Sequence, residues 1–480
     1  MTRLSRRSWP QAGPPRTVRA VHLGLGAFHR AHQAWYTEHA GAEELWGIAA
    51  FTGRSPRAAE QLAAQDGIFT LVERGPERDR LEVVASISAA HDGDDAGAWA
   101  GYVASPQVTL VTLTVTEAGY HLDGAGHLDL RHPEIATDIE RLRGTGAGTD
   151  IGRRLPAPSP RTMPGRILAG LGARRRAGAG PIAIVPCDNL MGNGAATRTA
   201  VLELCELVDA SLAAWISTSV SFVSTVVDRI TPATTPGDLA LVEGATGRRD
   251  EAAVVAEPYS EWVLAGEFPA GRPDWGSAGA RLVADVEAYA ERKLWLLNGG
   301  HSLLAYAGSA LGHSTVATAA ADARCRGWLD EWWDGVAPLL RLSAEDVRDY
   351  RATLIERWGN RRISHPLSLI AKDGSYKLAQ RVTPVVRRYR EAGRPAPPGA
   401  GRIVGAWLAH LRGSGAEISD PRAPELVPAS EGEIHAAARA VLEALDPGLG
   451  EDGALVRLVV ESCRELDSLS GRMPAPSSPR

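Results

Sequence analysis

Between residues 17 and 51 the spacing of apolar positions changes character three times. An apolar run over residues 18–25 reads as a strand, and Gly24-Leu25-Gly26 turns the chain. From about 29 to 40 the apolar positions then recur every three or four residues, which predicts a helix. A strand over 46–51 and a helix over 55–65 complete a βαβ unit. Further strands are predicted at 68–73, 81–88, 108–115, 182–186 and 217–227, with helices at 133–143, 164–176 and 195–214. Strands that alternate with helices specify a mostly parallel, doubly wound α/β sheet covered on both faces. The Gly/Pro-rich stretch 144–160 reads as an exposed loop. Beyond the Gly/Pro cluster at 269–273 helical spacing takes over: 289–311, 315–340, 343–357, 367–390, 400–411 and 431–445, with a loop at 394–401. The organisation predicted is an α/β domain over 18–277 and a mainly α-helical domain over 278–472, with residues 1–16 and 473–480 disordered.

Composition narrows the function classes. The 480 residues are 44% hydrophobic with a net charge of −5, so the chain buries a large core and lacks the basic balance of a nucleic-acid binder. No apolar run is long enough to span a membrane, and no apolar stretch follows the basic start, so a cytoplasmic protein is expected. The four cysteines, Cys187, Cys205, Cys325 and Cys463, form no metal-binding or redox spacing and are expected as reduced buried thiols. More telling is a scarcity: of 52 basic residues only Lys293, Lys372 and Lys377 are lysine, and Asn189, Asn193, Asn298 and Asn360 are the only asparagines. Nucleotide bias in a GC-rich genome explains the depletion. The survivors mark positions where arginine, which keeps its proton, would not serve.

The turn GLGAFHRAH is a partial dinucleotide fingerprint, with Phe28 and His29 where a third glycine would fall. A glycine turn opening a helix can hold a pyrophosphate on backbone amides; a bare strand–turn–helix is the competing account. After the second strand the chain reads Thr52-Gly53-Arg54, without the acid that favours NAD; an arginine accommodates the 2′-phosphate of NADP, so NADP stays open. The segment ERKLWLLNGGHSLLAYAG places Asn298 and His301 three apart, and Lys293 about 80° from His301 around an α-helix. Such a trio suits a lysine base with two groups donating to a developing alkoxide. A surface lysine, a capping asparagine and a hydrogen-bonded histidine would give the same spacing, and the glycine pair would let a ligand approach the backbone. Asn189 and Asn193, after a predicted strand, are ligand contacts or helix caps. Asp228-Arg229 reads as a structural ion pair or a site, and KDGSYKLAQR sets the other two lysines around a tight turn. No His, Cys or Asp cluster has the spacing of a catalytic zinc site.

Taken together, VHLGLGAFHRAH, DGIFTLVE, TLTVTEAGYH, CDNLMGNG, VVDRITP, KLWLLNGGH and DGSYKLAQR resemble the mannitol dehydrogenase family of polyol-specific long-chain dehydrogenases, in order and spacing, from about residue 18 to 466. The resemblance implies a zinc-free, NAD(P)-dependent enzyme with a Rossmann domain, a helical domain and its site in the cleft between them. It implies Lys293 as general acid/base, Asn298 and Asn189 holding the reacting oxygen, and His301 orienting substrate. Asp228 and Lys377 would contact substrate hydroxyls or an acid group, while Gly24, Gly26, Ala27 and Phe28 hold the cofactor, with Arg54 beside its ribose. Many members carry glutamate three residues before the lysine; here that place is Ala290, with Glu291 next to it. Leu369, where one mannitol-dehydrogenase branch has arginine, points to the bacterial mannitol/mannonate group. The expected partners are a small polyol, ketose or sugar acid and NAD rather than NADP, with no metal, nucleic acid or membrane, in a monomer or weak oligomer. A mannitol-1-phosphate 5-dehydrogenase-like enzyme is the runner-up. A non-catalytic nucleotide- or carbohydrate-binding sensor is the alternative of another class.

Overall fold

Alternation of apolar residues along the parallel strands explains why one sheet carries two cores. A computed structural model describes residues 2–41, 45–143 and 159–470. Its strands are β1 (Val18–Leu23), β2 (Gly47–Phe51), β3 (Phe69–Arg74), β4 (Asp79–Val84), β5 (Ile87–His91) and β6 (Leu110–Leu113), followed by β7 (Ile182–Pro186), β8 (Val220–Phe222), β9 (Ser224–Asp228), β10 (Val254–Ala256), β11 (Glu261–Ala265) and β12 (Arg281–Leu282). The main sheet runs β5-β2-β1-β6-β7-β8, every neighbouring pair parallel. Ala20, Ile48 and Leu110 face one hydrophobic cluster, Val21, Ala49 and Val111 the other. That is the burial on both faces that parallel sheets require. Two three-stranded sheets, β10-β3-β4 and β12-β11-β9, complete the unit.

Several predicted elements prove to be two. The run 81–88 divides into β4, antiparallel to β3, and β5, which joins the main sheet beside β2. The run 217–227 begins as helix and then divides at Val223, β8 staying in the main sheet and β9 leaving to pair antiparallel with β11. The helix predicted over 195–214 breaks at Asp209, whose carboxylate accepts from the amides of Ser211 and Leu212 and so starts a new helix, Ala210–Ser219. Asp322 does the same between Val316–Ala321 and Ala323–Val336. In each case a short polar side chain satisfies amides that a continuous helix would have paired.

The amino terminus corrects the expectation of a disordered leader. Leu4 is fully buried, and the Arg6 guanidinium donates to the carbonyls of Ala12, Gly13, Pro14, Asp66, Ala85 and Ile87. Its charge is spent on backbone carbonyls rather than on solvent. The loop expected over 144–160 falls, except for its last two residues, outside the described residues, as does the tail 473–480.

The compact units divide between Glu287 and Ala288, ten residues beyond the expected 277, because β12 still pairs with β11 of the first unit. The second unit is helical around one core in which Trp295, Trp332, Trp333 and Trp407 are nearly fully buried. Three of its features escaped the sequence pattern: the helices Ala423–Ser430 and Gly453–Leu469, and a helix that starts at Pro398 inside the segment expected as a loop. Proline fits the first helical position because the amide it lacks has no partner there. Among the described residues no helix is long and apolar enough to cross a membrane.

Candidate active site

Order along the main sheet reverses at β1, which has β2 on one side and β6 on the other. Doubly wound sheets take ligands at such a point, outside the carboxyl ends of the strands. A cavity of about 570 Å³ opens there, lined among others by Leu23, Gly24, Arg54, Thr114, Arg161 and Arg166. Cofactor sites span about 300–1,000 Å³. Gly24 has φ +108°, and a Cβ on it would lie 2.0 Å from the Thr114 carbonyl oxygen. The turn therefore closes onto the end of β6, where the Thr114 hydroxyl donates to the Gly24 carbonyl at 2.7 Å. Gly26, Ala27 and Phe28 follow as the extended entry and first residues of a helical run over 27–39. Its first amides have no helical acceptor, so the geometry fits a pyrophosphate. Phe28 stacks on His32 at 5.0 Å. Beneath the turn His22 and His29 stack at 3.4 Å, and burial pushes both below the usual histidine range, His22 to about 3.

The second cluster is built on a distorted helix. Residues Lys293–Gly299 and Leu304–Gly308 are π-helical turns, with α-helix before, between and after them. Widened turns shift side chains around the axis, so angles counted on a regular α-helix do not apply. Two indoles follow the distortion: Trp332 Nε1 donates to the Trp295 carbonyl at 2.8 Å and Trp333 Nε1 to the Leu296 carbonyl at 3.0 Å. Arg381 donates to the Asn298 carbonyl at 3.2 Å and to the Ser302 hydroxyl at 3.0 Å. The glycine pair corrects the sequence reading. A Cβ on Gly299 would lie 2.7 Å from Trp332 Nε1, and one on Gly300 would lie 2.8 Å from the Trp358 ring. The space is filled by tryptophan, not kept for a ligand.

Lys293 and His301 are buried and Asn298 is half-buried. His301 packs against Trp358 at 5.1 Å and meets His365 edge-on at 5.0 Å. Burial, reinforced by His365, Arg381, Arg357 and Lys293, holds its imidazole well below the usual range, so it is neutral. Its Nε2 and the Nδ1 of His365 are buried with no hydrogen-bond partner among the described residues. Buried polar atoms are normally paired, and one that is not marks a place for a ligand or water. His365, Arg357 and Arg381 are the members of this group that the sequence did not single out. Arg381 lies one turn after Lys377 on the helix Gly374–Arg381; with 49 arginines in the chain, only that spacing could have pointed to it.

Lys377 donates to the Ile370 carbonyl at 3.1 Å, and burial followed by Arg381 lowers its pKa. In the first unit Asn189 is exposed in the loop after β7, and Asp228 is buried at the end of β9. Asn193 is a brace: fully buried, it accepts from the Thr225 amide at 2.9 Å and donates to the Thr225 carbonyl at 3.1 Å. Arg229 pairs with Glu73 at 2.7 Å. Glu291 is likewise committed, to Arg388 and, at 3.6 Å, Arg341. Among the described residues two groups of donor side chains come together: His121–His132–Glu134, whose Glu134 also lines the cavity at β1, and His313–Asp322–Cys325, apart from both clusters above.

The mannitol dehydrogenase Rossmann-domain model matches residues 18–277, and the mannitol dehydrogenase C-terminal-domain model matches 285–467. D-mannonate oxidoreductase of Escherichia coli (strain K12) is 37% identical over 405 residues, 82% of this chain and 80% of the relative. Mannitol 2-dehydrogenase of Cereibacter sphaeroides is 35% identical over 405 residues, 82% of this chain and 81% of the relative. Among solved structures, Pseudomonas fluorescens mannitol 2-dehydrogenase in ternary complex with NAD and D-mannitol has a TM-score of 0.81 at 31% identity, over 98% of this chain and 99% of that one.

Proposed function

The chain belongs to the mannitol dehydrogenase family of CH–OH oxidoreductases, and from that premise we propose that it moves a hydride between a nicotinamide dinucleotide and one secondary carbinol of a linear polyol or aldonate. The products are a ketose or a ketouronate. The named relatives support this substrate class, since they act on mannitol or mannonate by name. The NAD held by the Pseudomonas fluorescens enzyme supports the cofactor class, and the glycine turn at β1 fits it. Gly24, Gly26, Ala27 and Phe28 would hold that cofactor, whose nicotinamide ring would supply the hydride acceptor or donor.

In oxidation the Lys293 amine takes the hydroxyl proton as the carbinol C–H bond breaks, leaving a carbonyl; in reduction the ammonium returns that proton. Asn298 and Asn189 hold the reacting oxygen, where donors count most as negative charge develops. His301, kept neutral at working pH, offers its unpartnered Nε2 to a substrate hydroxyl. That orphaned nitrogen, among the side chains of Lys293, Arg357 and Arg381, is the observation that carries the proposal. Asp228 and Lys377 contact the remaining hydroxyls or an acid group.

Initial rates of NADH and NADPH oxidation with fructose, fructuronate, tagaturonate and fructose 6-phosphate test the reading. Turnover is expected with one of the first three and should survive EDTA. Activity confined to fructose 6-phosphate would move the chain to a sugar-phosphate dehydrogenase. Lys293→Ala should lower kcat by roughly 10²–10⁴-fold. Lys293→Arg should do no better, because guanidinium cannot accept the proton. Near-normal turnover in the arginine variant, with an unchanged pH profile, would remove Lys293 as the base.

A further inference from the structure

The cavity at the carboxyl ends of β1, β2 and β6 carries an imbalance of charge. Three guanidiniums line it, those of Arg54, Arg161 and Arg166, against two carboxylates, Asp94 and Glu134. Arg166 is fully committed. It pairs with Asp94 at 3.1 Å and donates to the carbonyls of Thr52, Gly53 and Pro160. Glu134 faces His121 at 3.7 Å. The Arg54 and Arg161 side chains make no ion pair or hydrogen bond among the described residues, and both are exposed on the cavity wall. Arg54 is the third residue beyond β2, in the segment from which a doubly wound domain reads the ribose of its dinucleotide. A carboxylate there would accept from the ribose 2′-hydroxyl and repel a 2′-phosphate. This chain has no carboxylate at that position, and Asp94, one of the two acids in the cavity lining, is already offset by Arg166.

We infer that the cavity selects the 2′-phosphorylated dinucleotide, NADP(H), through Arg54 and Arg161, against the NAD preference that family resemblance suggests. The inference rests on the dinucleotide-dependent reading above and deepens it. Two exposed guanidiniums on one cavity wall offer a phosphate dianion both charge and forked N–H donors, and each charge-assisted contact is worth roughly 10–100-fold in affinity. A 2′-hydroxyl offers neither charge nor enough acceptors to use them, so NADH leaves both arginines solvated.

Fluorescence titration of the full-length protein with NADH, NADPH and 2′,5′-ADP tests this without turnover. NADPH should bind about 10-fold or more tighter than NADH, and the ratio should shrink as salt is raised. Adenosine 2′,5′-bisphosphate should displace NADPH, whereas 5′-AMP should do so poorly. Arg54→Ala and Arg161→Ala should each weaken NADPH by roughly 10–100-fold and leave NADH within about 3-fold. Circular dichroism would show that both variants are folded. Tighter binding of NADH, unaffected by Arg54→Ala and abolished by Asp94→Ala, would overturn the inference and make Asp94 the reader of the ribose; the dehydrogenase reading would stand. Binding of neither dinucleotide would instead sink the dinucleotide reading itself.

Discussion

Gly24 shows how much one residue decides. Its positive φ and its approach to the Thr114 carbonyl leave no place for a methyl group, so Gly24→Ala must push the turn away from β6. The expected result is at least a 10-fold loss of dinucleotide affinity by titration with little change in far-ultraviolet circular dichroism; unchanged affinity would mean that the turn does not hold the cofactor. Glycines in a short motif were legible in the sequence because their meaning is local. Lysine scarcity was legible for the opposite reason: in a chain with three lysines, Lys293 stands out against the background. Arg357 and Arg381 could not be found that way, since arginine is everywhere in this chain and only the fold selects the few that surround His301.

Among elements, strands in the main sheet announced themselves by apolar runs, and what the pattern missed was where they change partner. Val223, the one residue between β8 and β9, is itself fully buried, so no exposed residue marks the switch. The switch is held by Asn193, which satisfies the Thr225 amide and carbonyl from the first turn of the helix Asn193–Val208. Asn193→Ala would strand both groups and should cost about 2–4 kcal/mol in urea unfolding. Should stability instead be unchanged while KM for the carbonyl substrate rises, Asn193 would be a ligand contact and not a brace. The π-helical turns were invisible for a related reason: the donors that answer their carbonyls, Trp332, Trp333 and Arg381, lie tens of residues away in sequence.

At the scale of the whole molecule, buried histidines couple the fold to pH. His22, His29, His301 and His365 are all held below the usual histidine pKa, with burial the largest cause in each. Unfolded, each titrates near 6.5, so below that pH the unfolded chain binds protons that the folded one refuses. Stability is therefore full above about pH 6.5 and falls as the pH drops, by up to about 1.4 kcal/mol per pH unit for each histidine. Denaturant unfolding between pH 7.5 and 5 should show a flat region and then a decline, before most carboxylates titrate. In His22→Gln the slope should lessen by up to one proton; an unaltered slope would mean that His22 is not part of the coupling.

Arginine supplies 49 of the 52 basic residues of this chain, and the fold makes part of that choice irreversible. Arg174 is nearly fully buried with no carboxylate partner among the described residues, its guanidinium donating to the carbonyls of Val103, Ser105, Val108, Ala179, Gly180 and Pro181. Arg6 does the same at the amino terminus, and Arg166 and Arg229 each bind two or more carbonyls besides their acid. An ammonium carries three donors on a single nitrogen and cannot span such an array. A descendant lineage whose codons drifted back toward A and T could exchange its surface arginines for lysine one by one, yet it would have to keep these four.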